Sequence, residues 1–346
     1  MTEQATRARG RATADMVAKT ANVSRVAVSR AFNPHASIKP EKRDHILRVA
    51  QELNYTPDMA ARSMVTGRSH LVAVIVPDVS SPWESQEIDA LTNVLQAEGF
   101  ATLLFKTRRD LSLDETLLTY MKGFNPDSVI AYAENVRPHV LSRVLERAVP
   151  IYIDYPNGEE VDETEPAPLF DRLEVMQRDG IDQAIALMQG YGAKRIAFIG
   201  GVPSSLAARA RERMVQQLMA AREMAPPILI PGDYSYDTAY RSTIDLFRLG
   251  DGADAVFAAN DVGAFGAMDA LRHELGLAVP KDVMVVGFDD INQSHWKSYD
   301  LTTVKFDLDE RARALMRLIL RRLKAPTAPS LTETISTKLV VRGTVG

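Results

Sequence analysis

The chain has 346 residues, 46% of them hydrophobic and 25% charged, which is the balance of a soluble protein with more than one domain. It has no cysteine, which excludes disulfides, thiol catalysis and thiolate metal sites. The net charge of −4 hides an asymmetry. Residues 1–68 carry 12 Lys and Arg against 6 Asp and Glu, a balance of +6, leaving 29 against 39, or −10, for the rest. A basic head on an acidic body points to a polyanion partner for the head alone.

Residues 1–11 carry Arg7, Arg9 and Arg11 without periodicity and read as a mobile basic arm. No apolar stretch suits a signal peptide, and none approaches the roughly 20 residues that span a bilayer, so a cytoplasmic protein without a membrane partner is expected. Thr13 can cap a first helix through Asp15, Met16, Val17 and Ala21. Ser24 can cap a second, Arg25 to Phe32, which Asn33-Pro34 stops. The intervening turn, Ala21-Asn22-Val23, needs a residue tolerant of positive φ, and asparagine serves after glycine. A third helix fits Pro40 to Leu53, with Ile46, Val49, Ala50 and Leu53 as its apolar stripe.

In this helix-turn-helix Val17, Ala21, Val23, Val28 and Phe32 can pack inward. Arg25, Val26, Ser29 and Arg30 then share the outward face of the second helix, the kind of face that reads a major groove. Residues 57–67, PDMAARSMVTG, read as a linker that is helical only in company.

From Leu71 the pattern becomes strands alternating with helices. Strands are predicted at 71–77, 101–105, 128–133, 150–155, 195–200, 228–231, 255–260 and 284–288, with amphipathic helices such as 87–98 and 180–190 between them. Repeated βα of this length predicts two doubly wound lobes built on parallel sheets. The acidic, proline-bearing stretch 158–168 reads as a surface loop near a lobe boundary. Ligands of such sheets sit at the carboxyl ends of the strands. Those ends bring Asp78, Ser80, Trp83, Lys106, Thr107, Tyr132, Glu134 and Asp154 from the first lobe. The second offers Ser204, Ser205, Arg209, Arg211, Arg213, Tyr234, Asn260, Asp261 and Asp289. Carboxylates, Asn, Arg and aromatic faces suit a polyol. Lys106, Arg108 and Arg109 hint at a sugar acid or sugar phosphate.

The strings VAKTANVSRVAVSRAFN, LNYTPDMAARSMVTGRS, AANDVGAFGAMDAL and VVGFDD, in this order, resemble the lactose/galactose repressor (LacI/GalR) family over nearly the whole chain. The resemblance implies a helix-turn-helix DNA-binding domain at 12–56 and a hinge helix at 57–69. An effector-binding and dimerisation domain of the periplasmic-binding-protein type would occupy 70–346. Its lobes would be about 70–155 with 303–323, and about 156–302 with 324–346.

For DNA it implies contacts from Thr13, Ser24, Arg25, Val26, Ser29, Arg30 and Asn33. Met64 stands where the family has a minor-groove leucine wedge, and Ala61 is small enough for two hinge helices to approach. For the effector it implies Trp83, Thr107, Tyr132, Asp154, Tyr234, Asn260, Asp289 and an arginine of the run Arg209, Arg211, Arg213, with Arg211 the first choice. Departures are Trp83-Glu84 for paired aromatics, Tyr299 for a proline, and Gln216 or Arg213 for a glycine. The implied protein is a repressor, dimeric on a palindromic operator, its affinity set by a sugar or sugar-derived effector. Whether dimers pair into tetramers stays open.

Six scattered histidines lack ligand-like spacing, and GxSxG, P-loop and GxGxxG signatures are missing. No catalysis, metal or cofactor is therefore expected. Two other readings are a sugar-binding protein of the periplasmic type without a DNA role, and an architectural DNA-binding protein without a ligand.

Overall fold

The computed structural model describes residues 12–32, 36–57, 63, 67–77, 79–107, 115–132, 140–141, 145, 148–155 and 169–346. The chain divides into two compact units, Met1–Ser69 and His70–Gly346. The expected arm at 1–11, most of the expected hinge and the acidic loop at 158–168 lie outside the described residues.

The first unit contains α1 (Ala14–Thr20), α2 (Arg25–Ala31) and α3 (Pro40–Glu52). The Thr13 hydroxyl accepts from the Met16 N–H and the Ser24 hydroxyl from the Ala27 N–H, so both short helices start on side-chain caps. Each cap supports its helix by about 1 kcal/mol, which matters for helices of two turns. Asn22 takes φ of 51° in the turn. Val17, Ala21, Val28, Ile46, Val49 and Ala50 form a small core, closed by Phe32 edge-on to Tyr55.

The second unit holds two six-stranded sheets among its described residues. In the first, β1 (Leu71–Val76) lies between β2 (Ala101–Lys106) and β3 (Ser128–Tyr132). Then come β4 (Pro150–Asp154), β5 (Asp171–Met176) and β11 (Thr332–Ser336), all parallel. In the second, β8 (Ala255–Ala258) and β9 (Met284–Asp289) are central. β6 (Ile196–Ile199) pairs with β8, and β7 (Ile228–Ile230) pairs with β6 at the edge; β10 (Thr302–Lys305) follows β9 and pairs with antiparallel β12 (Lys338–Val340). The central strands are buried on both faces, which is why they read as continuous apolar runs.

Helices α4 (Pro82–Ala97), α5 (Glu115–Gly123) and α10 (Leu308–Lys324) belong to the first lobe. The second carries α6 (Arg178–Gly190), α7 (Leu206–Ala221), α8 (Tyr236–Leu249) and α9 (Asp261–Asp269).

The expected lobe limits need correction. β5 and β11 belong to the first sheet, and β10 belongs to the second. The chain passes between lobes after β5 at Gln177, after β10 at Phe306, and at Thr337 between β11 and β12. Two of these passages touch. The Thr337 N–H donates to the Met176 carbonyl, and its hydroxyl accepts from the Gly180 N–H. A Cβ on Gly180 would lie 2.5 Å from Val304, so only glycine lets α6 start there.

Candidate functional site

On the first unit, capping at Ser24 fixes where α2 begins and so which side chains face out. Arg25, Val26, Ser29 and Arg30 are all exposed, Val26 by 60%. An exposed valine between arginines is poor packing but suits contact with a thymine methyl beside guanine-reading forks. Thr13 is exposed and caps α1. Arg25 Nε lies 3.0 Å from Asp15 Oδ1 on α1. Asn33, Ala61 and Met64 lie outside the described residues.

On the second unit, the carboxyl ends of the strands converge on an aromatic cluster centred on Phe306, the residue that follows β10. Its ring lies 4.9 Å from that of Trp83, 5.3 Å from Phe288 and 6.5 Å from Tyr155. These rings come from both lobes. Two buried arginines flank them.

Arg211, on α7, stacks its guanidinium over Phe288 at 3.4 Å from the ring centroid. Its Nε donates to Gln177 at 2.8 Å, and its NH1 to the Ala259 carbonyl. Arg311, on α10, pairs with Glu87 of α4, and its terminal nitrogens reach the hydroxyls of Tyr132 and Tyr155. Tyr132 in turn donates to Glu87. Burial raises the Glu87 carboxyl, with Arg311 opposing it, and pushes the Tyr155 hydroxyl up to about 12.

Asp289 ends β9 with φ of 119°, and Asp290 follows at 57°. L side chains rarely adopt these angles, and each costs about 1–3 kcal/mol. The strain is held by neighbours. Asp290 is clamped by Arg342 and Lys305, and the Ile291 N–H donates to Asp261. Burial pushes the Asp289 carboxyl well above the usual carboxylate range; Arg211 opposes this, and Asp261 and Glu84 add to it. A carboxyl held that way keeps its proton to higher pH, and can donate a hydrogen bond as well as accept one.

Asn260 caps α9 by accepting from the Gly263 N–H, and its amide donates to the Tyr234 carbonyl. Tyr234 has φ of 67°, and its ring lies so close to Gly201 that a Cβ there would stand 2.3 Å from it. Asn260 thus ties the start of α9 to the Tyr234 backbone.

The structure brings together Trp83, Tyr132, Arg211 and Asp289, and joins Asn260 to Tyr234. It does not bring in the other three. Arg209 is exposed and donates to the Pro203 carbonyl, whereas Arg211 is buried. Asp154 accepts from the Tyr155 N–H and lies 3.7 Å from Arg172. Thr107 is buried, its hydroxyl on the Val76 carbonyl. Gln177, Glu87, Tyr155, Phe306 and Arg311 were not foreseen. Gln177 and Phe306 follow β5 and β10, whose polar sequences hid the strands, and Arg311 reads as one charge among many on α10.

A helix-turn-helix with a basic outward face, in one chain with a two-lobed body whose strand ends meet at a polar and aromatic cluster, defines a class: regulators that bind DNA and carry a small-molecule-binding body. Part of the chain matches the lacI family of bacterial regulatory proteins. Residues 14–58 match that family, and residues 187–345 match the periplasmic binding protein-like domain. It is thus a DNA-binding transcriptional regulator.

It is 28% identical to the ribose operon repressor of Halalkalibacterium halodurans, over 95% of both chains. It is 29% identical to the HTH-type transcriptional regulator CelR of Thermobifida fusca, over 96% of this chain and 98% of that one. Among solved structures, a lac repressor dimer bound to operator and the anti-inducer ONPF superposes with a TM-score of 0.81 at 22% identity, covering 96% of this chain and 99% of that one. A complex of CelR with cellobiose has a TM-score of 0.66 at 26% identity, covering 96% and 100%. No helix among the described residues is long and apolar enough to cross a membrane.

Proposed function

We propose that this protein is a cytoplasmic repressor that binds a palindromic operator as a homodimer and releases or tightens it in response to a sugar or sugar derivative held between the lobes. The observation that carries the reading is Arg211 stacked on Phe288, the residue before Asp289, beside the Trp83 and Phe306 rings, with the arginine's charge acting on the Asp289 carboxyl. A fork donor, a carboxyl able to accept or donate, and flat apolar faces are what a polyol ring needs. The names of the similar proteins, a ribose operon repressor and a regulator complexed with cellobiose, support the same ligand class.

The effector contacts are Trp83, Tyr132, Arg211, Tyr234, Asn260 and Asp289, with Phe306 and Gln177 added; Thr107, Asp154 and Arg209 stand at the edge of the reading. DNA contacts fall to Thr13, Ser24, Arg25, Val26, Ser29, Arg30 and Asn33. Residues 57–69 are the hinge between the 12–56 head and the 70–346 body, with Met64 the wedge and Ala61 the close approach. The cleft binds and does not catalyse. A ligand changes operator affinity only through its differential affinity for two body conformations. Within the cleft Arg311 is matched by Glu87, and Asp289 offers both a donor and an acceptor, an arrangement suited to the hydroxyls of a neutral sugar.

The test is calorimetric titration of the full chain with neutral sugars, sugar acids and sugar phosphates. One neutral sugar should bind, and Arg211→Gln and Asp289→Asn should each weaken it at least tenfold. If every sugar leaves the protein silent, or if both variants bind like the parent chain, the effector assignment fails.

A further inference from the structure

Arg25 and Asp15 form an ion pair across the helix-turn-helix, Nε to Oδ1 at 3.0 Å, joining α2 to the first turn of α1. Both side chains stay largely exposed, 70% and 57%, so water screens the pair and it adds little to stability. An acidic side chain is also unfavourable beside DNA, because it repels the phosphates that supply most of the affinity. A weak pair that carries an electrostatic penalty needs another explanation.

The geometry of the contact supplies it. The carboxylate meets the inner nitrogen of the guanidinium, Nε. The outer nitrogens, NH1 and NH2, have no partner among the described residues. Those two form the fork that reads O6 and N7 of guanine bidentately. An unrestrained arginine gives up much rotamer freedom to make such a contact, whereas one already oriented loses less.

We propose that Asp15 is a specificity-determining residue. It contacts no base itself; it holds the Arg25 guanidinium so that its outer edge presents to one guanine of the operator, exchanging general affinity for discrimination at that base pair. The proposal rests on α2 reading DNA, as set out above, and adds an acidic partner on α1 to the reading set.

The experiment uses the full chain. Sites are first selected from a random duplex pool by the parent protein. The base pair at which Arg25→Ala loses its preference is then identified, and affinities for all four bases at that position are measured by fluorescence anisotropy at fixed salt. A bidentate arginine–guanine contact gives the parent about tenfold or more preference for guanine. Asp15→Asn should reduce that preference to threefold or less, while nonspecific duplex binds several-fold tighter because one negative charge is gone. In the Arg25→Ala background, Asp15→Asn should leave base preference unchanged.

The proposal is overturned if Asp15→Asn tightens all four sequences by one common factor and keeps the guanine preference, because Asp15 is then only a surface charge. It is equally overturned if the preference sharpens, because Asp15 then competes with the base for Arg25. A parent chain that selects no sequence removes the DNA-reading assignment itself, a failure distinct from either of these. Circular dichroism of each variant at the assay temperature verifies folding.

Discussion

The pair Glu87–Arg311 allows a double-mutant test of how the cleft is held. Arg311 is 1% exposed and surrounded by Trp83, Tyr132, Tyr155 and Phe306. Glu87→Leu strands a guanidinium that cannot give up its proton and removes the acceptor of the Tyr132 hydroxyl. Uncompensated buried charges of this kind cost about 3–5 kcal/mol. For a body of this size that lowers the melting temperature by about 10 °C.

Arg311→Met is milder, because Glu87 can take a proton. Bringing an ordinary carboxyl to neutrality at pH 7 costs about 3 kcal/mol, and one already raised by burial costs less. That variant should therefore recover part of its stability at pH 5, and Glu87→Leu should not. The double variant, apolar at both positions, should lie within about 1–2 kcal/mol of the parent. The assay is urea unfolding of the full chain at pH 7 and pH 5. If the two single costs add in the double variant, with an interaction energy below about 0.5 kcal/mol, the charge-pair account is refuted.

Three further outcomes follow from the same structure. Asp261 is fully buried, accepting from Ser294, Ile291 and Thr303, and burial raises it to about 7 despite those donors. Its folded pKa exceeds the unfolded value near 3.9. The stability it contributes is therefore complete below about pH 4 and is lost as pH rises through 7. Urea unfolding should show the parent losing about 2 kcal/mol between pH 5.5 and pH 8 relative to Asp261→Asn. Phe306→Ala removes the ring on which Trp83, Phe288 and Tyr155 converge, and should cost about 3–5 kcal/mol in unfolding and abolish the calorimetric sugar signal. Asn22→Ala, at φ 51°, should destabilise the first unit by about 1 kcal/mol, with Asn22→Gly close to neutral, measured as the melting of that unit in the full chain.

Local signals were readable where local physics decides. Thr13 and Ser24 cap, Asn22 turns, and the apolar runs of β1, β3, β8 and β9 declare strands buried on both faces. β5 was hidden because Asp171, its first residue, is charged yet fully buried. Its partners Arg321 and Arg322 lie some 150 residues further along, and such a pairing leaves no trace in a local window. β11 alternates Thr, Glu, Thr, Ile and Ser at the sheet edge and offers no apolar run to mark it as a strand. The lobe limits shifted for the same reason.

In the site, residues that follow recognisable strands were found, such as Asp289 and Asn260. Those that follow unrecognised strands, Gln177 and Phe306, were missed. The choice among Arg209, Arg211 and Arg213 needed the helix phase: two residues turn a side chain about 200° around α7, which separates outward Arg209 from inward Arg211.

Regulation by this protein requires a single coupling, between the face of α2 and the ligand between the lobes. It is tested most directly by titrating the full chain onto its selected duplex, at fixed moderate salt, with and without the sugar found by calorimetry. The expected result is a discrete pseudo-palindromic site with half-sites about one helical turn apart. Its affinity should change at least tenfold on adding that sugar, in either direction, and should collapse to nonspecific strength in Arg30→Ala. An affinity that ignores the sugar, or one that Arg30→Ala leaves intact, contradicts it.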